Sequence, residues 1–343
     1  MGGTQMAIGQ RLMFSSNPGS VSLETFDVPS IGTHQVLVRN SRTHVSAGSE
    51  MNFLRHGPVA YGLPAGTPRA NIGYMTAGRI EVVGAEVEGF TVGDRVVTGG
   101  AHASHSLLDF RLSPVVNIIP DSVSDDHAGF AALGEVALHG VRRARTQIDQ
   151  SVLVLGMGMV GQLVMQFARI SGAYPLIAVD LVETRLQQAE QSGSTHLINA
   201  SRQNVVNCVK EITQGRGADV VIQCSQVADI LQQALECAAD RGAVVLTGSP
   251  PGTASIRLQE EILRKEISLY GTYTKGLMNP HPYWGWTPHR NRQAFLRMLG
   301  SGQIDIAHLI SHVVAVSDAP EMYAQMLSGT ENWLGVVFDW SDK

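Results

Sequence analysis

The sequence predicts an α/β chain: a doubly wound parallel sheet together with a separate β-rich, antiparallel domain. Three observations carry that prediction. From residue 152 onward, short apolar runs alternate with segments of helical period. The first of those runs, Val152-Leu-Val-Leu155, enters Gly156-Met-Gly-Met-Val-Gly161, a G-x-G-x-x-G turn that opens a helix. Before about residue 120 the apolar runs are short, bounded by Gly, Pro or Asn, and no helical period alternates with them.

Taken in order, Val36-Leu-Val-Arg39, Arg79-Ile-Glu-Val-Val83 and Arg95-Val-Val97 read as strands, with turns at Gly84 and at Gly89-Phe-Thr-Val-Gly93. Such a series builds an antiparallel, barrel-like domain. Residues 42–78 are poorer in strand signal and dense in Gly, Pro, His, Ser and Tyr, so they read as a loop of the kind that carries binding groups. Pro120-Asp-Ser-Val-Ser-Asp-Asp126 is a polar turn offering helix caps. A helix over 130–145 follows, with Leu133, Val136, Leu138 and Val141 apolar. Strands are then predicted at 152–155, 176–179, 219–223 and 242–247, and helices at 162–171, 183–192, 203–213 and 227–238. A further short strand is expected at 269–272. Residues 279–292 shift towards Pro, His, Trp and Arg, 293–299 read as a helix, and strands close the pattern near 313–316 and 335–339. No internal repeat occurs. Because β-rich segments flank the alternating region, residues 1–120 and 288–343 are expected to form one domain and residues 121–287 the other.

Composition narrows the function. The 343 residues are 44% hydrophobic and 16% charged, enough for a large core and too apolar for long disorder. A formal net charge of -5 argues against nucleic acid or an anionic membrane as partner. No apolar run reaches about 18 residues, so no helix is expected to cross a membrane. Met1-Gly-Gly-Thr-Gln5 lacks the basic start of a signal peptide and reads as a frayed end. Cys208, Cys224 and Cys237 form no C-x-x-C pair, as expected of a reducing cytoplasm. Cys224 ends the run Asp219-Val-Val-Ile-Gln-Cys224 and reads as a buried strand-end residue rather than a nucleophile.

The three glycines of the turn have separate tasks. Gly156 permits the tight exit from the strand, Gly158 lets a pyrophosphate approach the backbone, and Gly161 lets the helix pack on the strand. Phosphates would sit on the N–H groups of Met159, Val160 and their neighbours at the helix start. Asp180 ends the next strand about 20 residues on, where an acid binds the adenosine ribose and repels a 2′-phosphate, so NAD is the expected cofactor. Arg185, Thr247 and Gly248 complete the expected cofactor contacts. The other reading, an ordinary glycine-rich turn with a surface Asp, leaves unexplained why strand, turn, helix, strand and acid follow in order within one ~30-residue unit.

Together with Gly93-Asp-Arg-Val96, Gly73-Tyr-Met-Thr-Ala-Gly78-Arg-Ile80 and Leu246-Thr-Gly248, these residues resemble the medium-chain dehydrogenase/reductase superfamily over nearly the whole chain. The resemblance implies a Rossmann domain and a GroES-like catalytic domain. In the zinc-dependent alcohol and polyol dehydrogenases, the stretch matching Ser46-Ala-Gly-Ser-Glu50 reads Cys-Gly-Ser/Thr-Asp, and its Cys binds catalytic zinc. The next ligand there comes from Gly-His-Glu. Here Ala47 stands for the Cys, and Gly73-Tyr74-Met75 replaces the His and Glu. The four-cysteine lobe that binds structural zinc has no counterpart. Glu135 alone matches a ligand position, that of a Glu in polyol dehydrogenases. Zinc needs several such donors in tetrahedral array, so no metal is expected; the alternative is a site rebuilt from His44, Glu50 and Glu135. The Ser-Ala-Gly-Ser-Glu form, Gly73-Tyr74, His105, Trp286-Thr-Pro-His-Arg-Asn-Arg292 and Leu309-Ile-Ser-His312 resemble a zinc-lacking subgroup. That subgroup includes proteins similar to bacteriochlorophyllide dehydrogenase and to the dehydrogenase part of sugar-pathway bidomain oxidoreductases.

The resemblance implies a zinc-independent, NAD-dependent dehydrogenase interconverting a secondary alcohol and a ketone on a sugar or cyclitol-like small molecule. Without zinc to lower the alcohol's pKa, a side chain has to move the proton. Glu50 is the first candidate, since the matching acid sits beside the reaction centre; its other reading is a structural, Arg-paired Glu. Glu135 and His139 lie one helical turn apart and could form an acid–imidazole pair, or His139 is simply packed. Tyr74 either points its hydroxyl at substrate or fills space. Ser49 is a proton relay or a helix cap. His44, His102 and His105 contact substrate or are solvated loop histidines. Tyr273 and the stretch His281-Pro-Tyr-Trp-Gly-Trp-Thr-Pro-His289-Arg290 are weaker substrate candidates, with Trp286 stacking on a sugar ring or serving a hinge or dimer contact. Two other classes stay open: an NADPH-using quinone or enone reductase, and a non-catalytic nucleotide-binding protein. A homodimer, or failing that a tetramer, is expected through the sheet edge near 269–272.

Overall fold

The computed structural model describes residues 7–17, 19–274, 283–329 and 333–341. Its first elements are β1 (Ile8–Ser16), β2 (Gly19–Asp27), β3 (Gln35–His44), α1 (Ala47–His56), β4 (Arg69–Ala70), β5 (Thr76–Val83), β6 (Arg95–Thr98), β7 (His105–Asp109), β8 (Asn117–Ile118), α2 (Asp125–Ala128) and α3 (Ala131–Ala144). The alternating region follows: β9 (Val152–Leu155), α4 (Met159–Ile170), β10 (Leu176–Asp180), α5 (Glu183–Gln191), β11 (His196–Asn199), α6 (Val205–Ile212), β12 (Ala218–Gln223), α7 (Ile230–Cys237), β13 (Ala238–Leu246) and β14 (Ser268–Gly271). Then come α8 (Pro288–Gly300), β15 (Ile310–Ala315), α9 (Ala319–Ser328) and β16 (Gly335–Asp339). Met1–Gln5 and His281 of the aromatic stretch lie outside the described residues.

Two compact units result, one of residues 1–132, 292–300 and 310–343, the other of residues 133–291 and 301–309. The fold class is the one the sequence predicts: a parallel, doubly wound sheet and β-rich sheets in separate units. The division differs from the sequence reading at its edges. Residues 121–132 fall in the β-rich unit because Asp125 accepts from Arg95 Nε at 3.1 Å and Asp126 pairs with Arg42 Nε at 2.5 Å. Residues 301–309 fall in the other unit, where Gln166 exchanges hydrogen bonds with Asp305 at 2.8 and 3.0 Å. Residues 288–291 also belong there.

In the β-rich unit, strands run in the order β15-β16-β3-β5-β6-β8, with β7 also on β3, and a second small sheet runs β2-β1-β4. Alternation along β1 turns Leu12 and Phe14 inward, onto Phe53 and Leu54 of α1, Tyr323 of α9, and Phe338 and Trp340. Burying each such side chain contributes about 1.5–3 kcal/mol. The expected long loop over 42–78 therefore contains a helix. The side chains of α1 at Glu50, Met51, Phe53 and Leu54 are buried, a stripe the surrounding Gly and Pro content hides. The helix α9 and the strand β11 likewise have no counterpart among the predicted elements.

In the second unit the sheet order is β11-β10-β9-β12-β13-β14, all parallel. Counted from its first strand this is 3-2-1-4-5-6, the order whose reversal beside strand 1 makes a ligand crevice at the carboxyl ends. Val152, Leu153, Val154 and Leu155 of β9 are wholly buried, as a central parallel strand covered on both faces requires. No helix among the described residues is long and apolar enough to cross a membrane.

Candidate functional site

The second unit builds its site from the turn after β9. Gly156 has φ of 96°, a conformation that other residues rarely adopt, and its N–H donates to Val179 O at 2.8 Å. A Cβ on Gly161 would lie 1.9 Å from Gly156 O, so only glycine lets α4 start this close to the turn. Gly158 differs from both. Its φ is -71° and a Cβ there would meet nothing within 4 Å. The fold does not demand glycine at 158; the missing side chain leaves open space at the start of α4, beside the N–H groups of Met159 and Val160 that have no partner within the helix. That is the shape a pyrophosphate needs.

Asp180 ends β10 with Oδ2 accepting from Met157 N at 2.7 Å and Oδ1 from Val182 N at 2.9 Å. Two backbone donors thus fix the carboxylate at the crevice, and each oxygen keeps a lone pair for a diol. Arg185 is held from its backbone, where its carbonyl accepts from Gln162 Nε2 at 2.8 Å. Thr247 N and Gly248 N both donate to Gln223 O, at 2.9 and 2.7 Å, and Gln223 Nε2 donates to Ser225 Oγ at 2.8 Å. Gln223 and Ser225 therefore knit the carboxyl ends of β12 and β13, a role no sequence motif signals. These residues fit a dinucleotide.

On α3 of the same unit, Glu135 and His139 are both buried. Burial, then the charges of Arg143 and Arg142, push His139 down to about 4, so it is neutral at pH 7. Its ring packs edge-on against Trp284 with centroids 5.6 Å apart, and its Nδ1 has no hydrogen-bond partner. His139 is thus in an aromatic contact rather than an acid–imidazole pair. Arg142 and Arg290 lie 3.6 and 3.9 Å from the Trp286 ring centre. Two guanidinium groups at that contact distance must cover opposite faces, so Trp286 has no free face on which a sugar could stack. Tyr273 is 69% exposed.

In the β-rich unit the turn from β3 into α1 gathers three hydroxyls. Tyr74 Oη is hydrogen-bonded to Ser46 Oγ and also engages Ser49, and Ser46 Oγ lies 3.4 Å from Ser49 Oγ. Burial holds the Tyr74 phenol above its ordinary 10. Ser49 lies in the first turn of α1, so it is not the cap; Ser46 holds that position.

Glu50 points the other way, into the core. It is wholly buried, with Oε1 accepting from Ser46 N at 2.9 Å and lying 3.3 Å from His102 Nε2. Tyr323 donates to its Oε2 at 2.5 Å. His102 Nδ1 is 2.7 Å from Thr43 Oγ1, which also accepts from Trp340 Nε1 at 2.9 Å. Glu50 is thus paired with His102 and Tyr323 rather than with an Arg, and His102, although in a loop, is buried rather than solvated. His44 is wholly buried too: its Nε2 meets Asp126 O at 2.9 Å and its ring stands edge-on to Phe130. His105 Nε2 sits 3.4 Å from Glu81 Oε2, and burial lowers its pKa.

Zinc does not fit this donor set. Ala47 and Tyr74 occupy the matching positions, the oxygens of Glu50 are engaged, and His44 is committed to Asp126. Among the described residues no group of three or more His, Cys, Asp or Glu side chains is placed to hold a metal ion.

A family model described as "Zinc-binding dehydrogenase" matches residues 159–284. The chain is 26% identical over 355 residues to sorbitol dehydrogenase of Bacillus subtilis (strain 168), covering 94% of each protein. It is 26% identical over 354 residues to L-threonine 3-dehydrogenase of Burkholderia mallei (strain SAVP1), covering 95% of this chain and 97% of that one. Galactitol-1-phosphate dehydrogenase from Escherichia coli shares the fold with a TM-score of 0.83 at 18% identity, over 96% of this chain and 99% of that one. A short chain alcohol dehydrogenase from E. coli CFT073, complexed with NADH, has a TM-score of 0.82 at 18% identity over 97% and 99%. A structure from Sinorhizobium meliloti 1021 bound to NADP has 0.81 at 21% over 97% and 99%.

Proposed function

Since the chain belongs to the medium-chain dehydrogenase/reductase superfamily and is an oxidoreductase, we propose that it is an NAD-dependent dehydrogenase working without zinc. Its substrate would be a secondary alcohol, or the matching ketone, on a polyhydroxylated small molecule. The relatives named for sorbitol and galactitol 1-phosphate support that substrate class. The observation that carries the zinc-free reading is Tyr74, which by the resemblance stands at a ligand position of the family's metal enzymes and here is hydrogen-bonded to Ser46 and engages Ser49.

NAD, when bound, supplies the hydride acceptor. The chain's own residues do the rest. Gly158 and the start of α4 leave room for the phosphates, and Asp180 offers its carboxylate to the ribose. The same negative charge disfavours a 2′-phosphate, which supports NAD over NADP. Tyr74 Oη keeps its proton through neutral pH, because burial raises its pKa. In ketone reduction it would give that proton to the reacting oxygen and be reprotonated through Ser46 and Ser49; in alcohol oxidation the same relay runs backwards and carries the hydroxyl proton away. Glu50 stays in the core and holds Ser46 in place through the Ser46 N–H.

The test is elemental analysis of the purified protein together with steady-state rates on hexitols and the matching ketoses using NAD(H) and NADP(H). Activity with NAD(H) at less than a tenth of an equivalent of zinc is expected. Stoichiometric zinc with activity lost on chelation overturns the zinc-free reading. A strong NADPH preference with activity only on enones or quinones would point instead to the reductase branch of the superfamily.

A further inference from the structure

The second unit contains a cluster that the cofactor turn does not use. On α3, His139, Arg142 and Arg143 fall three and four residues apart and so share a face. That face meets residues 284–291 of the same unit. His139 lies edge-on to Trp284, and Arg143 Cζ stands 5.5 Å from the Trp284 ring centre and 5.0 Å from that of Tyr270. Arg142 stacks on Trp286 and donates to Asn291 Oδ1, while Arg290 covers the other face of Trp286 and donates to Gly285 O at 2.9 Å.

Within this cluster three buried nitrogens have no hydrogen-bond partner: His139 Nδ1, Trp284 Nε1 and Asn291 Nδ2. His139 is 4% exposed and Asn291 0%. An indole N–H and an amide NH2 can only donate, and a neutral imidazole can place its proton on Nδ1. Native structures rarely leave such donors unsatisfied without a missing acceptor. Arg143 makes no ion pair among the described residues. Glu135, the acid one turn earlier on α3, is already engaged. The cluster therefore has donors and positive charge in excess of acceptors.

Its position matters as much as its chemistry. A Cβ on Gly140, the residue after His139, would come within 2.6 Å of Thr247 Oγ1. At Gly140, α3 thus runs beside the loop that leaves β13, at the carboxyl end of the sheet where ligands bind. We propose that His139, Arg143, Trp284 and Asn291 form an anion subsite that takes a phosphate monoester or carboxylate carried by the substrate. The inference rests on the dehydrogenase reading and narrows it to an anionic polyol. Guanidinium forks together with neutral N–H donors are the usual recognition of such oxyanions. The stacking of Arg142 and Arg290 on Trp286 holds the wall of the site before the anion arrives.

Two measurements on the full chain test this. The first is titration calorimetry with inorganic phosphate on the wild type, Trp284→Phe and Arg143→Gln. Trp284→Phe removes one N–H and keeps the ring; Arg143→Gln removes charge from a half-buried position. Each variant is expected to raise the phosphate Kd about tenfold or more with an unchanged thermal midpoint. The second is the ratio of kcat/KM for a hexitol 1-phosphate, the matching aldonate and the neutral hexitol with NAD. A preference for one of the anions, lost in both variants mainly through KM, is expected, and which anion wins separates phosphate from carboxylate. Equal rates on charged and neutral polyols, with no phosphate binding, overturn the subsite and leave the dehydrogenase standing. Phosphate binding that falls in both variants, with no polyol oxidised, upholds the subsite and overturns the dehydrogenase reading. Phosphate binding unchanged in the variants overturns the assignment to these residues.

Discussion

Acidification should unfold this protein partly through one histidine. His44 is wholly buried, and burial holds its pKa at about 4 against an ordinary 6.5. Its Nε2 is committed to Asp126 O, and its Nδ1 has no partner, so a second proton would create a buried, unpaired N–H. Between those two pKa values the unfolded chain binds a proton that the folded chain refuses. Stability is therefore full above about pH 6.5 and falls as the pH drops towards 4. The gap between 6.5 and about 4 corresponds to about 3 kcal/mol in full, of which about 2 kcal/mol is lost by pH 5. The perturbation that isolates it is His44→Gln, which keeps a donor near the Nε2 position and cannot titrate. Urea unfolding at pH 7 and pH 5 is the assay. Wild type should lose about 2 kcal/mol more than the variant between the two pH values, a difference of roughly 1 M in midpoint. Other histidines shift both proteins alike, so a pH dependence that is parallel within about 0.5 kcal/mol would refute the assignment.

Three further outcomes are expected. Gly158→Ala should leave thermal stability unchanged, because nothing lies within 4 Å of the added Cβ, yet weaken NAD binding at least tenfold; Gly161→Ala should damage both, given the 1.9 Å approach to Gly156 O. Equal stability losses in the two would contradict the cradle at 158. Tyr323→Phe removes the donor to the buried Glu50 carboxyl and should cost about 2 kcal/mol in urea unfolding. A loss that persists undiminished in a Glu50→Leu background would mean that the hydroxyl acts through a partner other than Glu50. Tyr74→Phe should lower kcat about a hundredfold with little change in melting temperature. Because burial raises the Tyr74 pKa, the alkaline limb of the wild-type rate profile should lie above pH 10, and a limb at pH 8 that vanishes in the variant would sink this role.

The architecture was largely legible because its signals are local. Val152 to Gly161 and Asp180 sit within one short unit, and β16 falls on the predicted residues 335–339. The helix α1 escaped because Gly48, Gly57 and Pro58 dominate its neighbourhood, while its short buried stripe is visible only against β1 and α9. The strand β11 is a four-residue sheet edge with only Ile198 and Asn199 buried. The role of Glu50 could not be read locally, since its partners His102 and Tyr323 lie 52 and 273 residues away. The only hint was its spacing of four from Ser46, whose N–H it accepts. Trp286 looked like a binding platform in the sequence because nothing there indicates that Arg142 would reach it from α3.

The bond between Thr43 and Trp340 has a consequence for how the protein is made. Translation delivers β3 almost three hundred residues before β16, which pairs with it, and before Tyr323 and Trp340, which close over Phe14 and His102. Until then Leu12, Phe14 and Phe53 are without their cover. Residues 133–291, by contrast, emerge as one stretch and carry β9 to β14 complete. The unit with the parallel sheet can thus finish folding on the ribosome while the unit begun first is still open. Loss of residues 335–340 would strand the earliest-made part of the chain and spare the middle.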